Sequence, residues 1–329
     1  METNTFFQEL LNKYDLGDLL DTPILLPGGL LHESYKLSTS TGNYAVKLIN
    51  PSVLKEEYAL KEFEKESRME DMLSKAGVNA VYPIAYDGNK MLEVNGRYFY
   101  LADWFDGMPL NIDEVTEYHC QAVAEQLARI HNIEVRETER NTALLDIDFD
   151  RYLEHCQKAS LPFTELLKEN LELLKNTLSR CNQSISKVPS VLTFCHNDYD
   201  LKNVLWNKDQ FRIIDLEAVG YNNPYREIMS SALSWSGADD LRFDEKMFDV
   251  YLDSYFRNSR LDLKINWADV YDAETGRLTW LEFNLDKALK EDLTEEEKEA
   301  AIREVNKTVN RIICFDKIRE TVLANEKLK

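Results

Sequence analysis

The dipeptide Asn95-Gly96 stands between the apolar runs "KMLEV" and "RYFYLADWF", and it constrains the fold more than any other feature of the chain. Both residues tolerate positive φ, which the tight two-residue turn of a twisted hairpin requires, so the segment predicts paired antiparallel strands. Shorter strand-like runs precede it: "TPILLPGG", "SYKLS" and "TGNYAVKLIN", punctuated by Gly28, Gly29 and the cluster Thr41-Gly42-Asn43. A charged, periodic segment then runs from Pro51 and Ser52 to about Lys75 and reads as one helix, with Pro51 outside it and Gly77 as its stop. Residues 22–104 are therefore expected to form a small antiparallel sheet with one helix.

After "DWFDGMPL" the pattern changes to helical periodicity, over about 113–132, 149–157, 161–186, 224–236, 241–257 and, with interruptions, 266–325. Only "VLWN" and "FRIID" read as strands there. A sheet-rich first part and a helical second part predict an α+β chain of two lobes, 1–104 and 105–329, with the functional site expected in the cleft between them.

Composition excludes several classes of function. No run approaches the roughly 18 to 20 apolar residues of a membrane span. The opening "METNTFFQELLNKYDLGDLL" carries early acids where a signal peptide would be basic, which predicts a cytoplasmic protein with no membrane partner. Five widely spaced cysteines without a CxxC suit reduced thiols and are given no role. A net charge of −20 argues against nucleic acid, whose binding needs a basic face. The same charge suits either plain solubility or the steering of a cationic substrate, and composition does not separate them.

The run "FCHNDYDLKNVLWNKDQFRIIDLEAVG", residues 194–220, places polar groups where an apolar core would want none. His196-x-Asp198 is followed by Asn203 five residues on from Asp198, and Asp215 ends an apolar strand. Phosphoryl transfer needs this order of residue types: a carboxylate near the attacking hydroxyl, then an amide oxygen and a second carboxylate to hold magnesium against phosphates. The competing structural reading makes Asp198 and Asn203 turn residues and Asp215 the cap of a hairpin strand. Lys47 is the only charge in the apolar strand "NYAVKLIN", and shares its face with Ala45 and Ile49. An ammonium there needs an anionic partner if it is buried, or snorkels if it lies at an edge. Helical periodicity puts Glu66 on a stripe with Ala59, Phe63, Met69 and Leu73, which makes it the expected partner, with Glu62 and Glu70 one turn away.

The segments "GGLLHESY", "YAVKLIN", "KESRMEDML", "QLARIH", "HNDYDLKNVLW" and "IIDLEAVG", in this order, resemble the aminoglycoside phosphotransferase and choline kinase superfamily, over most of the chain to about residue 236. The resemblance implies a two-lobed protein-kinase-like fold, with a small antiparallel-sheet N-terminal lobe that binds nucleotide and a larger helical C-terminal lobe with the catalytic loop and acceptor site. It implies Lys47 on the nucleotide phosphates, Glu66 orienting it, Asp198 as catalytic base, Asn203 and Asp215 as magnesium ligands, and His196 as a scaffold residue. The cofactors expected are ATP or GTP with Mg2+. The nucleotide set is completed by Gly29 and Ser34 of the first turn and by Asp103 and Phe105 of the connector. The chain departs from the protein-kinase pattern in lacking GxGxxG, in having Leu216-Glu217 after Asp215, and in carrying Asp200 where a lysine is usual. Glu217 admits two readings, metal assistance and a loop cap.

The few residues between Asp215 and Pro224 leave no room for a peptide-docking activation segment, which disfavours a protein kinase. The expected reaction is transfer of a γ-phosphate to a hydroxyl of a small cationic acceptor, aminoglycoside-like or an amino alcohol. A choline/ethanolamine-type metabolite kinase and a nucleotide-binding pseudokinase scaffold are the alternatives. Asp200, Glu227, Trp235, Trp280 and Glu282 are the acceptor-side candidates, the two tryptophans having core packing as their competing reading. His119, His131 and His155 are read as structural.

Overall fold

Two units, each with its own core, make up the chain in the computed structural model, which describes residues 2–27, 32–52, 59–139, 143–290 and 292–329, the side chains of 2–4, 59–64 and 66 excepted. The first unit comprises residues 1–110 and 202–219, the second 111–201 and 220–329. In chain order the elements are α1 (Glu2–Lys13), β1 (Ile24–Leu25), β2 (Glu33–Ser38), β3 (Asn43–Leu48), α2 (Ala59–Lys75), β4 (Met91–Val94), β5 (Arg97–Asp103) and β6 (Met108–Pro109). Next come α3 (Glu117–His131), β7 (Val135–Glu137), α4 (Phe149–Lys158), α5 (Thr164–Glu169), α6 (Leu171–Ser184), β8 (Val191–Cys195), β9 (Val204–Asn207), β10 (Gln210–Ile213) and β11 (Gly220–Asn222). The chain closes with α7 (Pro224–Trp235), α8 (Glu245–Asn258), α9 (Trp267–Asp272), α10 (Gly276–Ala288) and α11 (Glu295–Ala324).

In the first unit, β1-β2-β3-β5-β4 form an antiparallel sheet, and the Asn95-Gly96 hairpin is present with φ of 52° and 75° at its turn. Alternation along β3 and β5 sends Val46, Leu48, Phe99 and Leu101 to one face, where Phe6, Phe7, Leu10 and Leu11 of α1 bury against them. Phe6 meets Phe99 edge-on at 5.9 Å, and truncating Phe99 to alanine would cost about 3–5 kcal/mol. Lys47, between Val46 and Leu48, therefore lies on the other face of the sheet, in register with Ser34 and Tyr100. Helix α2 ends as its sequence predicts. Gly77 takes φ 73°, its N–H donates to Ser74 O and that of Val78 to Leu73 O, so the last carbonyls are satisfied by a left-handed cap.

The expected division at residues 104/105 moves to Leu110, and residues 202–219 return to the first unit. Hydrogen bonding gives the reason. The β9–β10 hairpin pairs with β6, while Ile213 donates to Asn79 O and accepts from Val81 N–H, which ties the hairpin to the segment that follows α2.

The second unit is helical around the antiparallel sheet β11-β8-β7, and Trp235, Tyr251, Tyr255, Phe163, Phe194 and Phe248 are its largest fully buried side chains. Asn223 caps α7 through Arg226 N–H at 3.3 Å, with Pro224 at the first helical position. The helix expected over 161–186 breaks at Asn170 into α5 and α6, and the long C-terminal stretch resolves into α9, α10 and α11. Among the described residues no helix is long and apolar enough to cross a membrane.

Candidate active site

In the first unit the side chain of Lys47 meets the end of β10. Its Nζ lies 3.5 Å from Asp215 Oδ1 and also pairs with Glu217 Oε1. Asp215 sits in left-handed backbone, φ 63° and ψ 55°, which few side chains other than Asn and Asp tolerate. This conformation turns the chain out of the strand into the short 3-10 turn Leu216–Ala218. Asn203, immediately before β9, accepts the Ile214 N–H at 2.9 Å on its backbone carbonyl, so Asn203 and Asp215 flank the same open end of the hairpin. Asn203 is buried, whereas the Lys47 and Asp215 side chains are 29% and 45% exposed. Exposure of this degree limits the pair to about 1 kcal/mol of stability, so its presence is better explained by function.

His32 extends this cluster. It is buried, its Nδ1 accepts the Asn50 N–H at 3.0 Å, and its Nε2 lies 3.8 Å from Glu217 Oε1. Burial holds its pKa below the ordinary value, outweighing the opposite pull of Glu217, while Lys47 acts in the same direction as burial. The ring is therefore neutral at pH 7, with Nε2–H facing the carboxylate.

The Glu66 side chain and Gly29 lie outside the described residues, as does the Glu62 side chain. Glu70, the other acid considered for Lys47, is instead engaged by Lys90 at 3.0 Å. Ser34 stands opposite Lys47 in the β2–β3 register. Asp103 ends β5 and is exposed; Phe105 follows, with the Arg212 guanidinium 5.3 Å from its ring centre. Gly107 allows this connector to pass, because a Cβ there would lie 2.4 Å from Phe105 Cε1 and 3.0 Å from Trp206 O.

In the second unit, β8 delivers the catalytic-loop sequence. His196 is fully buried, and its Nδ1 accepts the Asp198 N–H at 3.3 Å. Asn197 between them has φ 66°. Asp198 and Asp200 are half-buried. Glu227 of α7 reaches this loop from inside: its carboxylate accepts the backbone N–H groups of His196, at 3.1 Å, and of Asn197, together with His131 Nε2 at 2.7 Å. Burial alone would raise its pKa, but the His131 bond, the nearby histidine rings and the Asn197 amide hold the carboxyl below its ordinary value.

Two acceptor-side expectations change as a result. Glu227 is buried and consumed by internal hydrogen bonds. Trp235 is fully buried, with its indole N–H on Tyr199 O at 3.1 Å, so it braces the loop and presents no face to a ligand. Trp280 remains on the surface, 44% exposed, stacked on Phe283 at 5.4 Å, with its N–H on Glu304 at 3.1 Å. Partial burial, with Asp286 and Asp146 nearby, raises the pKa of Glu282. Burial pushes the thiols of Cys156 and Cys181 up to about 11. Sequence reasoning missed the pairing of Glu217 with Lys47 and the contacts of His32 and His131.

An antiparallel sheet with a strand lysine tied to the acid that follows a later hairpin, joined in sequence to a helical unit bearing His-x-Asp, defines the kinase-like class of folds. The profile of the phosphotransferase enzyme family matches residues 23–261, and the chain belongs to that family. It is 31% identical over 125 residues to a homoserine kinase of Methylobacillus glycogenes, a match covering 38% of this chain and 36% of that one. It is 29% identical over 144 residues to a choline/ethanolamine kinase of Homo sapiens, covering 41% and 36%. The matched segment thus spans about a third of the length of these curated relatives. Among solved structures, a spectinomycin phosphotransferase in complex with ADP and spectinomycin shares the fold, with a TM-score of 0.67 at 12% identity over 94% of this chain and 98% of the other.

Proposed function

We propose that the protein is a small-molecule kinase that moves the γ-phosphoryl group of ATP to a hydroxyl of a small, cationic acceptor. The observation that carries this reading is the ion pair between Lys47 and Asp215, at the hairpin end shared with Asn203. Lys47 is the cation for the nucleotide phosphates, and Asp198 takes the acceptor's hydroxyl proton or aligns that hydroxyl. The donor set fits magnesium, since the Asn203 amide oxygen and the Asp215 carboxylate are hard oxygen ligands and Asp215 is open to solvent. When bound, the ion supplies charge neutralisation along the phosphates. ADP in the spectinomycin phosphotransferase structure supports an adenine nucleotide. The free cysteines, and the need for ATP that this reading carries, support a cytoplasmic activity.

A cationic acceptor is supported by the net charge of −20 and by the choline/ethanolamine kinase among the relatives; homoserine, a zwitterion, shares with those acceptors only its ammonium and hydroxyl groups. Asp200, Trp280 and Glu282 remain its candidate contacts. The second reading, an amino-alcohol or hydroxy-amino-acid kinase of metabolism, is favoured by the sequence matches to homoserine and choline/ethanolamine kinases. A coupled nucleotide-consumption assay over aminoglycosides, choline, ethanolamine, homoserine and neutral sugars tests both. Magnesium-dependent turnover of a cationic acceptor is expected, and Asp198→Asn should lower it by roughly 10² to 10⁴ with the fold intact. Absence of turnover with every acceptor would return the chain to the scaffold reading.

A further inference from the structure

The hydroxyl of Tyr255 on α8 lies 2.6 Å from Nδ1 of His131 on α3, and His131 Nε2 lies 2.7 Å from Oε2 of Glu227 on α7. Tyr255 and His131 are fully buried and Glu227 is 8% exposed. Both carboxylate oxygens are engaged by further donors, Oε2 by the His196 N–H and Oε1 by the Asn197 N–H. With three donors converging on it, the carboxylate is ionised and Nε2 of His131 carries the hydrogen. In the Nε2–H tautomer Nδ1 is bare and needs a donor, and the Tyr255 O–H stands at that atom.

We propose that Tyr255 is a positioning residue for phosphoryl transfer: its O–H fills Nδ1 of His131, holds the ring with Nε2–H on Glu227, and so steadies the His196-Asn197 backbone that presents Asp198. The proposal rests on the reading of Asp198 as the catalytic base. Asn197, at φ 66°, takes the left-handed backbone that asparagine tolerates better than most residues, and its N–H meets the Glu227 carboxylate there. The titratable groups facing Glu227 are His131 from α3, Cys195 at the end of β8, His196 and Tyr199 of the loop, and Tyr251 and Tyr255 from α8. Cys195 gives its Sγ–H to Asn222 O at 3.4 Å, and Tyr251 bonds Ser231 at 2.7 Å.

Without the Tyr255 hydroxyl, Nδ1 of His131 is left buried with no donor, and the ring is no longer held against the carboxylate. Glu227 then protonates more readily and the loop amides lose their acceptor. Tyr255→Phe should lower kcat about tenfold with KM for nucleotide and acceptor unchanged, and move the acid limb of the kcat–pH profile upward. Nitrogen-15 shifts should report an unprotonated Nδ1 on His131 in the wild type, and an Nδ1 shift moved by loss of its hydrogen bond in the variant. Tyr251→Phe, which removes a buried hydroxyl from the same helix outside this chain of bonds, should leave kcat and the tautomer unchanged. Wild-type kcat in Tyr255→Phe, an equal loss in Tyr251→Phe, or an Nδ1–H tautomer in the wild type would each overturn the proposal. If the wild type turns over no acceptor, the assignment of Asp198 fails, and hydrogen exchange at the His196 and Asn197 amides decides the relay by itself. Faster exchange in Tyr255→Phe supports it, and unchanged exchange overturns it.

Discussion

The ammonium of Lys47 is held by Asp215, 3.5 Å away, and by Glu217 two residues further on. Because a cation bound at Asp215 would compete with that ammonium, the two ligands of the proposed site should respond in opposite ways to loss of the lysine. Lys47→Met should weaken binding of magnesium–ATP at least tenfold. It should also strengthen binding of the divalent cation alone by roughly five- to tenfold, the effect of about 1 kcal/mol of repulsion removed at a partly exposed site. Calorimetric titration of each ligand checks this, and equal weakening of both would show that the pair does not guard the metal position.

The left-handed backbone of Asp215 permits a second separation of roles. Asp215→Ala and Asp215→Gly both delete the carboxylate, but only alanine strains a φ of 63°. Both variants should lose metal-dependent nucleotide binding. The alanine variant should in addition be less stable than the glycine one by about 1 kcal/mol, measured by urea unfolding. If magnesium dependence survives in either, Asp215 only caps its strand.

These residues also mark what the sequence makes legible. Lys47 stands out because a lone charge in an apolar strand has few explanations, and the β9–β10 hairpin because its apolar runs are clean. Helical periodicity points to Glu66 on α2, whose side chain lies outside the described residues, whereas Glu217, which pairs with Lys47, lies in a 3-10 turn after a left-handed residue, where no periodicity operates. The return of residues 202–219 to the first unit depends on β6, whose Met108 and Pro109 are both exposed and carry no strand signal. Helix α7 misled for a different reason. Its serines give it a polar look, yet it is buried on nearly every side, so Glu227 and Trp235 serve the loop from within.

Glu227 sets an expectation for pH. Its folded pKa lies below the ordinary value of 4.5, so between those limits the unfolded chain binds more protons than the native one. Its contribution to stability is therefore complete above about pH 4.5 and is lost as pH falls through the folded value. Glu227→Gln keeps one acceptor but turns an N–H₂ group toward backbone and ring donors, and should cost about 3–5 kcal/mol at pH 7. The gap between wild type and variant should narrow as the medium is acidified below pH 4.5, read from urea midpoints along a pH series. A gap that stays constant to pH 3 would mean that the carboxylate is not the species these donors hold.

The last expectation concerns the acceptor's charge. At −20 the chain carries a field that attracts cations; Asp146 and Asp286 lie close enough to Glu282 to act on it, and α10, which bears Glu282 and Asp286, also bears the stacked Trp280 and Phe283. A cation approaching such a surface gains charge-assisted hydrogen bonds, and an exposed tryptophan face adds cation–π attraction of about 0.5 to 2 kcal/mol. Steering of this kind acts over the Debye length, which falls from about 30 Å at 0.01 M salt to about 10 Å at 0.1 M. The second-order rate constant for a cationic acceptor should therefore drop as ionic strength rises across that range, while the constant for a neutral sugar stays nearly level. Trp280→Ala and Glu282→Gln should each raise KM for the cationic acceptor with little change in kcat, because both groups would act on binding and neither on the transferred phosphoryl. Turnover confined to neutral acceptors, or a rate indifferent to salt, would sink the cationic assignment and leave phosphoryl transfer itself standing.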